Sequence, residues 1–182
     1  NGNLIPRGIL REPASSLSRT DALILTRSDS ISGPIKDELS DRIMYFSQKR
    51  SVYMTFHDPY IYKVAKAAVD IEDIALSKSQ EWDSEIAKGR KVFAFSGIAR
   101  NDDFKHTVEG FGCEVSGFTE FPDHHEYSDE DINNILRSAK DAGAEIICTT
   151  EKDYARLDHR KGWPLDLVII GIEIAFGDDE AA

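Results

Sequence analysis

Three short segments of this 182-residue chain carry side chains that could do chemistry together. Phe121-Pro122-Asp123-His124-His125 sets two imidazoles beside a carboxylate. Imidazole titrates near about 6.5, so such a group can take, relay or donate a proton at neutral pH. Thr149-Thr150-Glu151-Lys152-Asp153 adds hydroxyls, carboxylates and an ammonium. Ser96-Gly97-Ile98-Ala99-Arg100 reads as a turn whose glycine would let backbone amides approach an anion, though it is not a G-x-G-x-x-G fingerprint. Near the start, Leu10-Arg11-Glu12-Pro13 presents a guanidinium, whose planar fork matches phosphate oxygens.

Each segment also has a plainer reading. Ser96-Gly97 is a tight strand-to-helix turn, the histidine run a solvated loop, Glu151-Lys152-Asp153 a charged first helical turn, and Arg11-Glu12 an ion pair. Adjacent side chains diverge, so at most one of His124 and His125 faces a shared site. Neither Cys113 nor Cys148 has a C-x-x-C partner, and no metal site is expected. His57, His106 and His159 stand outside any motif and read as surface residues.

The elements that must position these segments are legible in the second half. Residues 91–95 (Lys-Val-Phe-Ala-Phe) form a compact apolar run, as in a strand covered on both faces. Asn101 is the expected N-cap of a helix whose buried stripe is Phe104, Val108 and Phe111 and which Gly112 ends. A strand over 113–118 follows. Ser128 and Asp131 then have the spacing of a capping box for a helix buried through Ile132, Ile135, Leu136 and Ala139 and closed at Gly143. Strands over 145–149 and 165–174 flank a short helix over about 153–157, capped by Thr149 or Thr150. Alternating strands and helices predict βαβ units and a small, mainly parallel sheet with flanking helices. In such a sheet the crevice lies outside the carboxyl ends of the strands, and the three segments fall there together. The expected cluster holds an imidazole, carboxylates and an ammonium.

The first half is less regular. Residues 22–26 read as a buried strand, and Ile35, Leu39, Ile43 and Phe46 mark a helix after Gly33-Pro34. Val52, Met54 and Phe56 alternate as in a half-exposed strand, while residues 60–64 pair with it or with the C-terminal strand. Residues 70–88 are charged and weakly periodic, a connector. The expected division is 1–57 as the end of a domain that begins earlier, 58–88 as linker, and 89–182 as an α/β domain. Acidic residues outnumber basic ones by 33 to 22, for a net charge of −11. That balance disfavours binding to nucleic acid, and basic pairs such as Lys49-Arg50, Arg90-Lys91 and Arg160-Lys161 are too sparse to anchor on anionic lipid. The two cysteines suit buried thiols in a reducing compartment. No apolar stretch approaches the roughly 18–20 residues that span a bilayer.

Taken in order, the motifs resemble one family. Asn1-Gly2 through Leu4-Ile5-Pro6 and Gly8-Ile9-Leu10-Arg11-Glu12-Pro13 are similar to the N-G-x-L-L-P-x-G-x-L-R-E-P stretch of the tetraacyldisaccharide 4′-kinases, the lipid A kinases. Phe95-Ser96-Gly97-Ile98-Ala99 resembles the family's A-G-I-A/G turn, and Phe121-Pro122-Asp123-His124-His125 and Thr150-Glu151-Lys152-Asp153 complete the set. The resemblance implies a P-loop-type N-terminal domain, a smaller C-terminal α/β domain and a short two-stranded link. It implies transfer of the γ-phosphoryl of ATP, with Mg2+, to the 4′-hydroxyl of lipid A disaccharide 1-phosphate, giving lipid IVA. The place of that reaction is the cytoplasmic face of a Gram-negative inner membrane.

By the same resemblance His124 is the catalytic contribution of this half, assisting an aspartate from the other domain, and Arg11 lies near the ATP phosphates. Glu12, Ser96, Gly97, Asp123, Glu151, Lys152 and Asp153 line the substrate site or the cleft between domains. The sequence departs from the family in lacking G-x-x-x-x-G-K-[ST] and the D-D-G-F-Q segment. The phosphate cradle, the Mg2+ carboxylates and peripheral membrane contact are then expected on a preceding half, leaving this fragment truncated, soluble and inactive alone. The competing expectation is a non-catalytic α/β binding or regulatory module derived from the same fold.

Overall fold

The computed structural model describes residues 2–28, 33–47, 51–67, 86–157 and 162–181. Contacts divide the chain into two units, residues 59–172 and residues 1–58 with 173–182.

In the larger unit, β3 (Lys91–Ser96) is flanked by β4 (Glu114–Glu120) and β5 (Ile146–Thr150), and β5 pairs in turn with the start of β6 (Asp166–Ala181), all parallel. The apolar run of β3 is buried throughout except at Lys91 because helices cover both faces. Its alternation divides two cores. Phe93 and Phe95, with Ile147, Leu167 and Ile169, pack on Ile132, Ile135 and Ala139 of α3 (Asp129–Asp141). Val92 and Ala94, with Ile146, Cys148, Val168 and Ile170, pack on Phe104 and Val108 of α2 (Asn101–Gly110). Each fully buried large apolar side chain in these layers contributes about 1.5–3 kcal/mol.

Ser128 caps α3 in the expected box, its hydroxyl accepting from Asp131 N–H while the Asp131 carboxylate accepts from Ser128 N–H. Gly112 and Gly143 close α2 and α3 at φ +74° and +64°, where a Cβ would be strained. Gly117 sits under the Phe93 ring, beside a register shift between Val92 and Phe93; an added Cβ would lie 2.7 Å from ring carbons.

Two expectations need correction. Asn101 is the first residue of α2, and Arg100 occupies the cap position without a side-chain cap. The Asn101 side chain is drawn off by the neighbouring strand ends: its Oδ1 accepts from Ser96 Oγ at 2.7 Å, and its Nδ2 donates to Phe121 O at 3.1 Å. The second concerns β1 (Ala22–Leu25), expected to be buried. It pairs in parallel with β2 (Ser51–Ala65), but Ala22 and Ile24 are exposed, Ile24 to 60%.

In the smaller unit, α1 (Gly33–Ser47) packs against a 3-10 turn, Ala14–Arg19. The N-terminal segment is a loop closed by a bridge between Leu4 and Leu10. The half-exposed strand expected at 52–56 and the segment 60–64 form one strand, β2, which passes from one unit into the other. β6 does the same beside it. Within the larger unit Tyr60 lies against Gly171, and Asp166 accepts from Lys66 Nζ and Ala67 N at 2.9 Å. Most of the expected connector, His159 and the pairs Lys49-Arg50 and Arg160-Lys161 lie outside the described residues. No helix among the described residues is long and apolar enough to cross a membrane.

Candidate active site at the strand ends

The segments after β3, β4 and β5 meet at one edge of the parallel sheet, tied by backbone bonds. Phe121 N donates to Ser96 O at 2.8 Å and His124 N to Gly97 O at 3.1 Å. Gly97 is buried here for a steric reason. A Cβ would stand 3.1–3.2 Å from Pro122 O, Asp153 Oδ1 and His125 Cβ. Its N–H donates to Asp153 Oδ2 at 3.1 Å, so that amide is engaged internally. Ser96 is likewise buried, bound to Asn101.

Asp153 organises the floor of the site. Its side chain is completely buried, and Oδ2 also accepts from Thr150 Oγ1 at 2.6 Å. Thr150 Oγ1 in turn accepts from Asp153 N–H at 3.1 Å, capping the short α4 (Glu151–Tyr154). Oδ1 faces Arg156 Nη1 at 3.5 Å. Asp153 Oδ1, Arg156 Nη1 and the Tyr127 hydroxyl are buried atoms without a hydrogen-bond partner among the described residues. Burial, and after it the Asp153 charge, pushes the Tyr127 phenol far above its usual range.

The two histidines diverge as expected. His124 adopts a left-handed conformation, φ +63°, and its side chain is 77% exposed. Its Nδ1 is 2.9 Å from Arg156 Nη2 and its Nε2 is 3.7 Å from Asp123 Oδ2. His125 turns inward. Its ring stacks on Phe121 at 4.6 Å, meets the Tyr127 ring edge-on at 5.1 Å, and Nε2 lies 3.2 Å from Asp131 Oδ2. His125 therefore pins the loop to the first turn of α3, while His124 is the one offered outward.

Of the expected residues, Ser96, Gly97, Asp123, His124 and Asp153 come together. Glu151 is half-buried and Lys152 exposed, and neither has a described bond to the histidine loop. The cation beside the imidazole is Arg156 instead of the expected Lys152 ammonium. Arg156 was legible only as the residue three beyond Asp153, one helical turn on. Arg11 and Glu12 belong to the other unit. Glu12 pairs with Arg19, whereas Arg11 is exposed with no hydrogen bond or ion pair among the described residues.

The sequence profile of the tetraacyldisaccharide-1-P 4′-kinases (LpxK) matches residues 1–182. A tetraacyldisaccharide 4′-kinase of Halothermothrix orenii is 34% identical over 180 residues, 96% of this chain and 46% of that protein. One from Anaeromyxobacter sp. (strain Fw109-5) is 35% identical over 184 residues, covering all of this chain and 46% of that protein. The crystal structure of the "apo" form of LpxK from Aquifex aeolicus, in complex with ATP, matches 98% of this chain and 45% of that one. Its TM-score is 0.55 at 25% identity. The chain thus spans about half the length of the relatives it matches.

Proposed function

Because this chain belongs to the tetraacyldisaccharide-1-P 4′-kinase family, we propose that it is the C-terminal part of an enzyme that moves the γ-phosphoryl group of ATP to the 4′-hydroxyl of lipid A disaccharide 1-phosphate, giving lipid IVA. Residues 1–57 would complete a P-loop-type domain, 58–88 the connection, and 89–182 the second lobe. Here the loop Phe121–His125 contributes His124, which works with a carboxylate of the preceding domain on the sugar hydroxyl. A sugar hydroxyl is a poor nucleophile until a positioned base takes its proton, which is what this pair would arrange. The observation that carries the reading is the outward imidazole of His124, held at the carboxyl edge of the sheet by a buried network while His125 is spent on packing.

Arg11, exposed and uncommitted among the described residues, is assigned to the ATP phosphates, for which its bidentate fork is suited. Magnesium supplies charge neutralisation on the transferring phosphates when bound. Its ligands are assigned to the preceding domain, because this sequence lacks the G-x-x-x-x-G-K-[ST] and D-D-G-F-Q segments. The same assignment covers the phosphate cradle and contact with the cytoplasmic face of the inner membrane. Radiolabelled phosphoryl transfer from ATP to the disaccharide 1-phosphate tests the proposal. The full-length protein should form the 4′-phosphate and the 182-residue chain alone should not. A full-length protein that binds the disaccharide without transferring phosphate would instead establish the non-catalytic module.

A further inference from the structure

We propose that Arg156 is the positioning residue for His124, holding the imidazole in the tautomer that carries its proton on Nε2. The inference rests on the reading of His124 as the reactive group of this lobe. Arginine offers N–H donors and no acceptor. Its Nη2 lies 2.9 Å from His124 Nδ1, so Nδ1 supplies the lone pair. A neutral imidazole has one donor and one acceptor nitrogen. The proton therefore resides on Nε2, which faces outward 3.7 Å from Asp123 Oδ2, too far for a hydrogen bond within the loop.

Arg156 can impose this because it is itself held. Its side chain is 25% exposed and its Nη1 faces the fully buried Asp153 carboxylate at 3.5 Å. That carboxylate is fixed by Gly97 N–H from the end of β3 and by the Thr150 hydroxyl from the end of β5. His124 N–H, bound to Gly97 O, ties the loop after β4 to the same point. One buried carboxylate thus orients one guanidinium, which orients one imidazole, and three strand ends set the register of the relay. His124 itself sits in the left-handed region, at φ +63°.

The consequence is chemical. With its lone pair turned back onto Arg156, His124 presents an N–H donor and cannot itself accept the hydroxyl proton at Nε2. It would donate to an anionic carboxylate or to the oxygen that becomes negative as the proton leaves. The general base then lies elsewhere, with His124 orienting it and Arg156 orienting His124.

The test uses full-length protein with 15N-labelled histidine, at a pH well above the imidazole range, where the ring is neutral. His124 resonances are assigned by their loss in His124→Asn. The wild-type spectrum should show an acceptor-type Nδ1 and a protonated Nε2; a protonated Nδ1 overturns the inference. Arg156→Met should release the ring to a mixture of tautomers, and Arg156→Lys, which keeps a donor, should restore much of the Nε2–H form. An unchanged tautomer in folded Arg156→Met also overturns it. Should Arg156→Met not fold, Arg156→Ala takes its place, and a tautomer ratio unchanged from wild type in that folded variant overturns the inference. The kinetic readout separates the two readings. Arg156→Met should lower kcat by about 10-fold or more with little change in KM, as expected for a misaligned reactive group. A tautomer shift with unchanged kcat would leave the Arg156 assignment standing and refute the catalytic reading of His124.

Discussion

Replacing Asp153 by asparagine keeps the side chain's shape and removes its charge, and its neighbours determine the cost. Oδ2 accepts from Gly97 N–H at 3.1 Å and from Thr150 Oγ1 at 2.6 Å, so the amide oxygen must take that place. The amide nitrogen is then left at the Oδ1 position, 3.5 Å from Arg156 Nη1. Two donors face each other where a carboxylate faced a guanidinium. Both retained hydrogen bonds fall from charge-assisted to neutral strength, a loss of about 1 kcal/mol each. Breaking a fully buried ion pair would add about 3–5 kcal/mol. Arg156 is 25% exposed and can turn toward water, which reduces that share to about 1–2 kcal/mol. The total is about 3–4 kcal/mol. Urea unfolding of the full-length protein, followed by the far-ultraviolet signal of the domain's helices, should show a midpoint lower by about 1–2 M with unchanged slope. A loss under about 1 kcal/mol would refute the reasoning and return Asp153 to an ordinary first-turn charge.

Other consequences follow from the same geometry. His124→Gly should leave the melting temperature unchanged or raise it slightly, whereas His124→Val, β-branched at φ +63°, should cost about 1–2 kcal/mol relative to glycine by thermal unfolding. Hydrogen bonds from the Ser128 hydroxyl and amide hold the Asp131 carboxyl below its ordinary 3.8. A depressed folded value means the stabilisation is present above 3.8 and is lost as pH falls through the folded value. The stability gap between wild type and Asp131→Ala should therefore be full at pH 7 and shrink in acid unfolding. Cys148 is fully buried, its thiol pushed far up by that burial, while Cys113 is only half-buried with Sγ donating to Val108 O. A thiol reagent under native conditions should modify Cys113 slowly and reach Cys148 only after unfolding.

Much of the larger unit was legible because its signals are local. The all-apolar run of β3, the Ser128–Asp131 spacing and the glycines at 112 and 143 each dictate their own backbone. The convergence of three loops followed from parallel topology. What escaped was settled by tertiary contacts. Asn101 has the sequence of a cap, but Ser96 and Phe121 compete for its side chain. Residues 22–25 are apolar enough for a core strand, yet the structure leaves Ile24 on an exposed face. The Lys152 ammonium was the cation expected beside the imidazole, and no motif in the sequence singled out the guanidinium of Arg156. The cap at Thr150 sets the helical phase that turns one outward and the other under the loop.

The central claim is that this lobe supplies His124 to a phosphoryl-transfer site, and steady-state kinetics of full-length His124→Ala beside His125→Ala test it most directly. With both variants shown to be folded, His124→Ala should lower kcat for 4′-phosphorylation by roughly 10²–10⁴-fold with a much smaller change in KM. That corresponds to about 3–5.5 kcal/mol of barrier. His125→Ala should cost far less in kcat and show its effect mainly in stability, since its ring packs on Phe121 and Tyr127. A folded His124→Ala enzyme with near wild-type kcat would contradict the account.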